Sequence, residues 1–285
     1  RLIARRPFCE VSGPGGLTGA NNDREPVWAS GWDRRSVLLY VLDTGQWHRY
    51  RLPKASFTYD PTHGWFTEWP RIREIGRNRW MMTMHGQMFD FPPTLSATRT
   101  AGLRPIATHL RYIPDFCEWN GLLVLASDDC SIMQNPMAGK SQSNLWIGSP
   151  EELPTFGPPL GWGGVWLGDP VPSGQPSDPY LFAGYRRRCA HLAHNAGVPV
   201  EFRFEVDIAG DGRWQPLTNV LVSAEGYGFV TFSPDAPGEW IRATADRDLA
   251  AASVYFHYLP DRAHAPDTTL FAALAPAATA GRGVR

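Results

Sequence analysis

The stretch HGWFTEWPRIREI, which begins at His63, combines the residue types that a sugar-binding site needs. Trp65 and Trp69 offer flat apolar faces with a polar edge, which stack on the C–H faces of pyranose rings. Glu68 could accept hydroxyl protons or serve as acid or base, and His63 titrates near neutral pH. Arg71 could hold the carboxylate of a uronate through paired hydrogen bonds. The pattern indicates a site that faces a carbohydrate.

Further candidate residues follow apolar strand signals, where loops of a β fold gather at one end. His85 ends the apolar run WMMTM and is followed by glycine, which leaves room for a ligand near the backbone. Asp128 and Asp129 follow LLVLAS and add two carboxylates. The uncharged polar run from Gln142 to Asn144 suits recognition of hydroxyl groups. We predict that His85 emerges where its strand ends.

Structural interpretations of the same residues stay open. Trp65 and Trp69 could fill the core between sheets, and His63 could simply form a turn with Gly64. Arg71 could pair with Glu74, and the two aspartates could accept hydrogen bonds from backbone amides at a corner. His85 has the least obvious packing role, so it is the first catalytic candidate.

Composition excludes several classes of protein. The 285 residues carry 27 basic and 28 acidic side chains, so no net charge favours nucleic acid or an anionic membrane surface. Hydrophobic residues make up 43% and charged residues 19%, which is typical of a globular chain. No apolar run reaches the length of a membrane span. The chain begins with Arg1, so the lack of a visible leader sequence is not evidence about localisation. We expect a secreted or periplasmic protein.

The expected ligands are a glycan and no cofactor. Structural calcium remains open because Asp207, Asp211 and Asp235 lie near turns, although turn carboxylates usually serve the turn itself. Cys117 and Cys130 could form a disulfide or remain free thiols. The oligomeric state is not predicted. No Walker loop, G-x-S-x-G, H-E-x-x-H or dinucleotide fingerprint is present.

Strand signals dominate the chain and predict an all-β fold. SVLLYVLDTGQWHRYRLP contains two β-rich runs around Asp43-Thr44-Gly45, and Asn120-Gly121 marks another hairpin turn. A strand-turn-strand unit recurs with Gly76-Arg77-Asn78 at its turn. Such repeats favour a β-propeller-like array of antiparallel hairpin blades, with a β-sandwich of hairpins as the alternative. No long helix with an apolar stripe is predicted.

The C-terminal part alternates more cleanly. In VEFRFEVD, which starts at Val200, apolar and charged residues alternate as in a half-exposed antiparallel strand. Asp211-Gly212 predicts a hairpin turn. We therefore predict propeller-like blades over residues 1–196, a C-terminal antiparallel β unit over 197–271, and a flexible tail over 272–285.

The segments HGWFTEWPRIREIG, MMTMHGQMFDFP, DFCEWNGLLVLASDD and NPMAGKSQSNLW resemble a group of uncharacterised bacterial β-propeller proteins associated with polysaccharide degradation. The resemblance covers most of the chain from Phe8 to Tyr258 and implies a glycan-related role without assigning catalytic residues. The stretch PRIREIGRNRWMMTMHG is also similar to sialidase-like and related glycosidase propellers. The chain lacks the Asp-box repeats of sialidases, which argues against sialidase chemistry itself.

Two classes of function follow. The first is an enzyme that cleaves glycosidic bonds of a polysaccharide or oligosaccharide. A glycoside hydrolase would take two carboxylates from Glu68, Asp128 and Asp129. A polysaccharide lyase acting on a uronate would use His63 or His85 as base, with Arg71 neutralising the carboxylate of the substrate. The alternative is a non-catalytic carbohydrate-binding or scaffold propeller, in which aromatic residues bind sugar without paired acids.

Overall fold

Strands account for nearly all the regular structure of the protein, which we describe from a computed structural model. The structure describes residues 8–14, 16, 22, 24–56, 71–109, 113–127 and 144–261. Within these ranges there are nineteen strands and one 3-10 helix, Pro150–Thr155, and no α-helix. The predicted all-β class with hardly any helix is confirmed.

The first eleven strands form three consecutive antiparallel units, in which each strand pairs with the next along the chain. The first unit contains β1 (Phe8–Ser12), β2 (Val27–Trp32), β3 (Val37–Asp43) and β4 (Gln46–Leu52). The second unit contains β5 (Arg71–Glu74), β6 (Trp80–Met84), β7 (Gln87–Phe91) and β8 (Arg104–Thr108). The third unit contains β9 (Phe116–Trp119), β10 (Leu122–Ser127) and β11 (Asn144–Gly148).

Two-residue turns with positive φ close several hairpins of these units. Thr44-Gly45 connects β3 to β4, and Asn120-Gly121 connects β9 to β10. Left-handed conformations at both turn residues match the right-handed twist of paired strands, and glycine adopts them without steric cost. Both hairpins were predicted from the sequence and are confirmed.

Apolar side chains pack the units against one another. Trp28 of the first unit lies 5.9 Å from Trp80 and 4.8 Å from Phe91 of the second, measured between ring centroids. The second and third units share a separate buried cluster, which contains Ile75, Met81, Met88, Phe116, Leu123 and Leu125. The first strands β1, β5 and β9 contact one another in succession. The predicted propeller-like array of hairpin blades, followed by a C-terminal antiparallel β unit, is confirmed.

The remaining eight strands form two sheets packed face to face. They are β12 (Gly161–Val171), β13 (Tyr180–Leu181), β14 (Arg187–His194), β15 (Val200–Asp207), β16 (Trp214–Val222), β17 (Tyr227–Phe232), β18 (Trp240–Ala245) and β19 (Leu249–Leu259). The sheet orders are β13-β18-β15-β16 and β12-β19-β14-β17. Phe204 of β15 lies 5.5 Å from Phe232 and 6.2 Å from Phe256 across the interface. The C-terminal unit is therefore a β-sandwich.

A short parallel strand pairing is one of the contacts that join the first unit to the sandwich. Strand β13 pairs with β4 in parallel at a single position, Tyr180 opposite Arg51, and the Arg51 amide donates to the carbonyl of Pro179 at 2.8 Å. The result is a continuous sheet of eight strands. Strands β12 and β14 precede residue 197 yet pair with β19, so the sheets do not separate there. The boundary near residue 197 stays a prediction about independent folding.

Candidate functional site

Three of the ten predicted site residues lie in the part of the chain that the structure describes, namely Arg71, His85 and Asn144. The other seven lie outside it and stay predictions: His63, Trp65, Glu68, Trp69, Asp128, Asp129 and Gln142. Asn144 begins β11, is exposed, and its side-chain oxygen accepts a hydrogen bond from the amide of Leu145 at 2.8 Å. The contacts of Asn144 therefore serve its own strand end.

His85 and Gly86 form a two-residue hairpin turn between β6 and β7, with φ of 48° and 77°. The His85 side chain is completely buried, and its ring meets Trp32 edge-on with centroids 5.5 Å apart. Its carbonyl accepts a hydrogen bond from the amide of Ala55 at 2.8 Å. The expectation that His85 emerges at a strand end is wrong, because the whole turn packs beneath the segment that follows β4. A Cβ on Gly86 would lie 2.9 Å from that of Ser56, so glycine permits this packing.

Burial also sets the charge state around His85. Loss of water lowers the pKa of His85 well below its ordinary value, and the nearby charge of Lys54 lowers it further. Burial also lowers the pKa of Lys54 to about 8, although Asp33 opposes this shift. The Lys54 ammonium donates a hydrogen bond to the backbone carbonyl of Asp33. His85 is thus a neutral, water-excluded imidazole, and its catalytic role stays a prediction.

A buried ion-pair network continues from Lys54 into the interior. The Arg51 guanidinium donates hydrogen bonds to Asp33 at 3.0 Å, to Ser36 at 2.7 Å and to Asp178 at 2.7 Å. Burial alone would raise the pKa of Asp33, but the charges of Arg51 and Arg35 outweigh this effect and hold the pKa below its ordinary value. These contacts tie the first unit to the segment before β13, so the network is structural.

A second group of charges lies where the first strands of the three units meet. We call Glu10 (β1), Arg71 and Arg73 (β5) and Asp115 (immediately before β9) the axial cluster. Arg71 lies 3.7 Å from Glu10 and 3.6 Å from Asp115. Arg73 hydrogen-bonds to Glu10 and lies 3.7 Å from Asp115. Both arginines therefore contact carboxylates from two different units. The sequence interpretation considered only a pair between Arg71 and Glu74 and did not include these contacts.

The two carboxylates of the axial cluster have different environments. Glu10 is buried, whereas the Asp115 side chain is 56% exposed. Burial raises the pKa of Glu10, and although Arg73 and Arg71 both lower it, the pKa remains above its ordinary value. Because both carboxylates contact the Arg71 guanidinium, their oxygens are no more than about 10 Å apart, a separation that accommodates a glycosidase acid pair.

The structure also places Arg71 and His85 at one end of the second unit. Arg71 pairs with Thr83, two residues before His85, and the His109 amide bonds to the Gly86 carbonyl at 2.9 Å at the same end. The axial cluster and the His85 turn are thus neighbouring features, one partly exposed and one buried.

Glu10 and Asp115 were absent from the sequence prediction, although a repeat could have revealed Glu10. The tripeptide Phe-Cys-Glu occurs at Phe8–Glu10 and again at Phe116–Glu118. Both copies lie on the first strand of a unit. Aligning the units on this tripeptide would have placed Glu10 at the start of a blade, next to the neighbouring first strand.

The described residues do not supply an evident metal site. In the described ranges, no group of three or more His, Cys, Asp or Glu side chains could hold a metal ion. The Asp207 carboxylate accepts hydrogen bonds from the amides of Gly210, Asp211 and Gly212, at 2.8 to 3.2 Å, and so stabilises its turn. Structural calcium stays a prediction. Cys117 is exposed and its possible partner Cys130 lies outside these ranges.

Comparison with known proteins gives weak structural likenesses. No protein-family model matches the chain, and no curated protein sequence matches it. The exo-β-1,3-galactanase of Phanerochaete chrysosporium with galactose is 8% identical with a TM-score of 0.26, covering 84% of this chain and 66% of the galactanase. The GH32 β-fructofuranosidase of Bombyx mori is 9% identical with a TM-score of 0.23, covering 84% of this chain and 77% of that enzyme.

A glycoside hydrolase family 43 arabinoxylan arabinofuranohydrolase from Bacillus subtilis, in complex with cellotetraose, is 9% identical with a TM-score of 0.24. The match covers 88% of this chain and 78% of the enzyme. The chain thus spans just under two thirds of the galactanase and about three quarters of the other two. TM-scores this low do not by themselves establish a shared fold or activity. No helix in the described ranges is long and apolar enough to cross a membrane.

Proposed function

We propose that the protein hydrolyses glycosidic bonds of a polysaccharide or oligosaccharide at the axial cluster. The observation that carries the proposal is the pairing of Glu10 and Asp115, which come from different units and share the same two arginines. First strands of stacked units converge there, and the two carboxyl groups differ in exposure. Hydrolysis of a glycoside needs an acid and a base with different environments, held a fixed distance apart.

The roles follow from those environments. Glu10, whose pKa burial raises, donates its proton to the glycosidic oxygen as the bond to the anomeric carbon breaks. The exposed Asp115 removes a proton from the attacking water, whose oxygen bonds to the same carbon. In the retaining variant, Asp115 attacks the anomeric carbon while Glu10 protonates the leaving oxygen, and Glu10 then takes a proton from the water that displaces Asp115 and releases the sugar. Arg71 and Arg73 hold both carboxyl groups in place and balance the charge of the ionised one.

Elimination from a uronate has less support from the described contacts. Arg71 already contacts two carboxylates, so it is not poised to neutralise a substrate carboxylate alone. Glu68 and the pair Asp128-Asp129 remain proposed additional acids, since the segments that contain them flank β5 and β10.

A non-catalytic glycan-binding or scaffold role is the second candidate. One observation favours it: Glu10 is hydrogen-bonded to Arg73 and neutralised by it, as expected of an ion-pair cluster that links sheets. In that case the axial cluster would stabilise the stacking of β1, β5 and β9. Glycan binding would then occur without bond cleavage.

Substitution of the two carboxylates distinguishes these functions. The protein is incubated with a panel of glycans, and both new reducing ends and the absorbance of unsaturated uronates are measured. We expect reducing ends without unsaturated product, and at least about 100-fold slower release by Glu10→Gln and by Asp115→Asn. Asp90→Asn, an exposed carboxylate paired with Arg79, is the matched control and should be fully active.

Three results would contradict the proposal. Full activity of Glu10→Gln would remove the axial cluster from catalysis. Formation of unsaturated uronates would assign the protein to the lyases. Retention of a glycan without any bond cleavage by the unsubstituted protein would favour the second candidate.

A further inference from the structure

The outer face of sheet β12-β19-β14-β17 carries a continuous set of aromatic side chains. Successive side chains along these strands point to opposite faces of the sheet. One set of phenylalanine and aliphatic side chains faces the sandwich core, and the other set faces outward. The strand register brings the outward residues into rows. The rings of this face, which we call the aromatic platform, belong to Trp162, His191, Tyr227, Phe229, Tyr255 and His257.

Ring contacts run across all four strands of the platform. Trp162 of β12 lies 6.3 Å from His257 of β19, which lies 6.3 Å from His191 of β14, measured between centroids. His191 in turn lies 5.2 Å from Phe229 and 6.0 Å from Tyr227, both on β17. Three strand spacings separate the outer rings, about 14 Å in all. The platform is therefore a band of rings and not an isolated exposed residue.

Two local contacts hold rings of the platform in place. Tyr255 pairs with Gly164, and a Cβ on this glycine would lie only 3.0 Å from the tyrosine ring. The absent side chain lets the ring lie against the backbone of β12. His191 Nδ1 and the Tyr227 hydroxyl form a hydrogen bond of 2.6 Å, which fixes both rings. Side chains held this way lose little conformational entropy when a ligand binds.

The platform is exposed and carries few charges. Tyr227 is 63% and Phe229 51% exposed, which is unusual for large apolar rings on a sheet face. The other outward residues of β14 and β17 between these rings are Cys189, Ala193 and Thr231, so Asp, Glu, Lys and Arg are absent there. The rings are tilted by 33° to 74° relative to their neighbours. Such an aromatic surface without carboxylates, lysines or arginines fits a neutral ligand with apolar faces.

We propose that the aromatic platform binds a flat, equatorially linked polysaccharide chain, of the cellulose or xylan type. The sugar rings of such a chain present C–H faces that stack on aromatic rings, and their hydroxyls lie at the edges. Neighbouring strands of the platform are about 4.8 Å apart, close to the length of one sugar ring along a chain. The imidazole and phenol edges of His191, His257 and Tyr227 supply hydrogen bonds for those hydroxyls.

A protein partner fits the platform less well than a glycan. An apolar protein surface pressed onto it would remove water from the imidazole and phenol groups and leave them only the hydrogen bond between His191 and Tyr227, which costs free energy. A hydroxyl-rich chain satisfies these groups at the same time as it covers the rings.

This site is separate from the axial cluster, and the inference shares with the proposed function only the class of ligand. Binding at the platform needs no bond cleavage, so it can be measured whether or not the axial cluster is catalytic. Glu10→Gln is expected to abolish hydrolysis and leave platform binding intact. The two proposals can therefore fail independently.

The test is retention on insoluble glycans. The full chain is mixed with microcrystalline cellulose, with insoluble xylan and with starch granules, whose coiled chains are not flat, and the unbound fraction is measured. We expect retention on cellulose or xylan, and at least tenfold weaker retention for the double variant Tyr227→Ala/Phe229→Ala. Phe229→Tyr keeps the ring and should bind normally. Leu221→Ala, 72% exposed on the other sheet, is the matched control for a lost apolar residue.

Several results would overturn the inference. Absence of retention on cellulose and xylan would do so, as would retention on starch alone. Undiminished retention of the double variant would place binding elsewhere, provided that its circular dichroism and Tm match those of the unsubstituted protein. A dimer in sedimentation that dissociates in the double variant would assign the platform to a second copy of the chain.

Discussion

Replacing Arg51 with methionine tests the buried network that joins the first unit to the sandwich. The Arg51 side chain is completely buried, and the Asp33 carboxylate beside it is 3% exposed. Their nitrogen and oxygen atoms are 3.0 Å apart, and Arg51 also reaches Asp178 at 2.7 Å. Methionine retains much of the aliphatic volume and removes the charge, so the substitution isolates the ion pair.

The expected cost is large because Asp33 remains buried. Removing one partner of a buried ion pair typically destabilises a protein by about 3 to 5 kcal/mol, since the other charge loses its compensation. Arg35 also contacts Asp33, at 3.3 Å, and continues to offset its charge. We therefore expect the lower end of the range, about 3 kcal/mol, for Arg51→Met.

Urea unfolding followed by tryptophan fluorescence measures this cost. Arg49→Met is the matched control, because Arg49 also pairs with Asp178, at 2.7 Å, but is 44% exposed. That exposed pair should contribute no more than about 1 kcal/mol. Adding Asp33→Asn to Arg51→Met should recover part of the loss. A loss below 1 kcal/mol for Arg51→Met, or equal losses for the two arginines, would refute the assignment of the network as a buried ion pair.

Three further predictions concern buried groups, and a fourth concerns calcium. Between pH 8 and 10.5 the unfolded chain keeps a proton on Lys54 that the folded chain has released, so the free energy of unfolding should rise with pH there, by about 3 kcal/mol in total. The rise should be absent from Lys54→Met in denaturant titrations. His85→Ala removes a buried ring at positive φ and should cost about 2 kcal/mol in thermal unfolding; lost turnover at unchanged stability would instead support a direct catalytic role. Asp207→Ala should cost about 2 kcal/mol, because three turn amides lose their acceptor. Chelation of calcium should leave Tm unchanged, and a drop in Tm would establish the structural calcium site.

Local features of the fold could be predicted from the sequence. The hairpin at Thr44-Gly45 depends on two neighbouring residues that tolerate positive φ, and the alternation that starts at Val200 depends on the two-residue period of a strand. Both signals lie within a few residues of the element that they specify. The core face of β15 and the turn positions therefore agree with the structure.

The candidate site could be predicted only in part. His85-Gly86 is a turn of the same kind as Asn120-Gly121, but histidine is a rarer residue at positive φ than asparagine, so the strand was expected to end in an exposed side chain. The axial cluster joins Glu10 to Arg73, which lie 63 residues apart, and local patterns do not encode such contacts. Arg71 was identified, whereas its two acidic partners were not.

The pairing of β4 with β13 also has a consequence for biosynthesis. The open edge of β4 would otherwise present unpaired backbone groups that invite pairing with another chain. The two-residue strand that pairs with Arg51, near the end of this edge, follows some 130 residues later, and that strand is in turn held by β18, which ends at Ala245. At typical translation rates the synthesis of the chain from β4 to the end of β18 takes about 10 to 40 s, during which the backbone at Arg51 stays unpaired on this side. Fragments that end before β13 never form this pairing, so they should aggregate more readily when expressed than the longer chain.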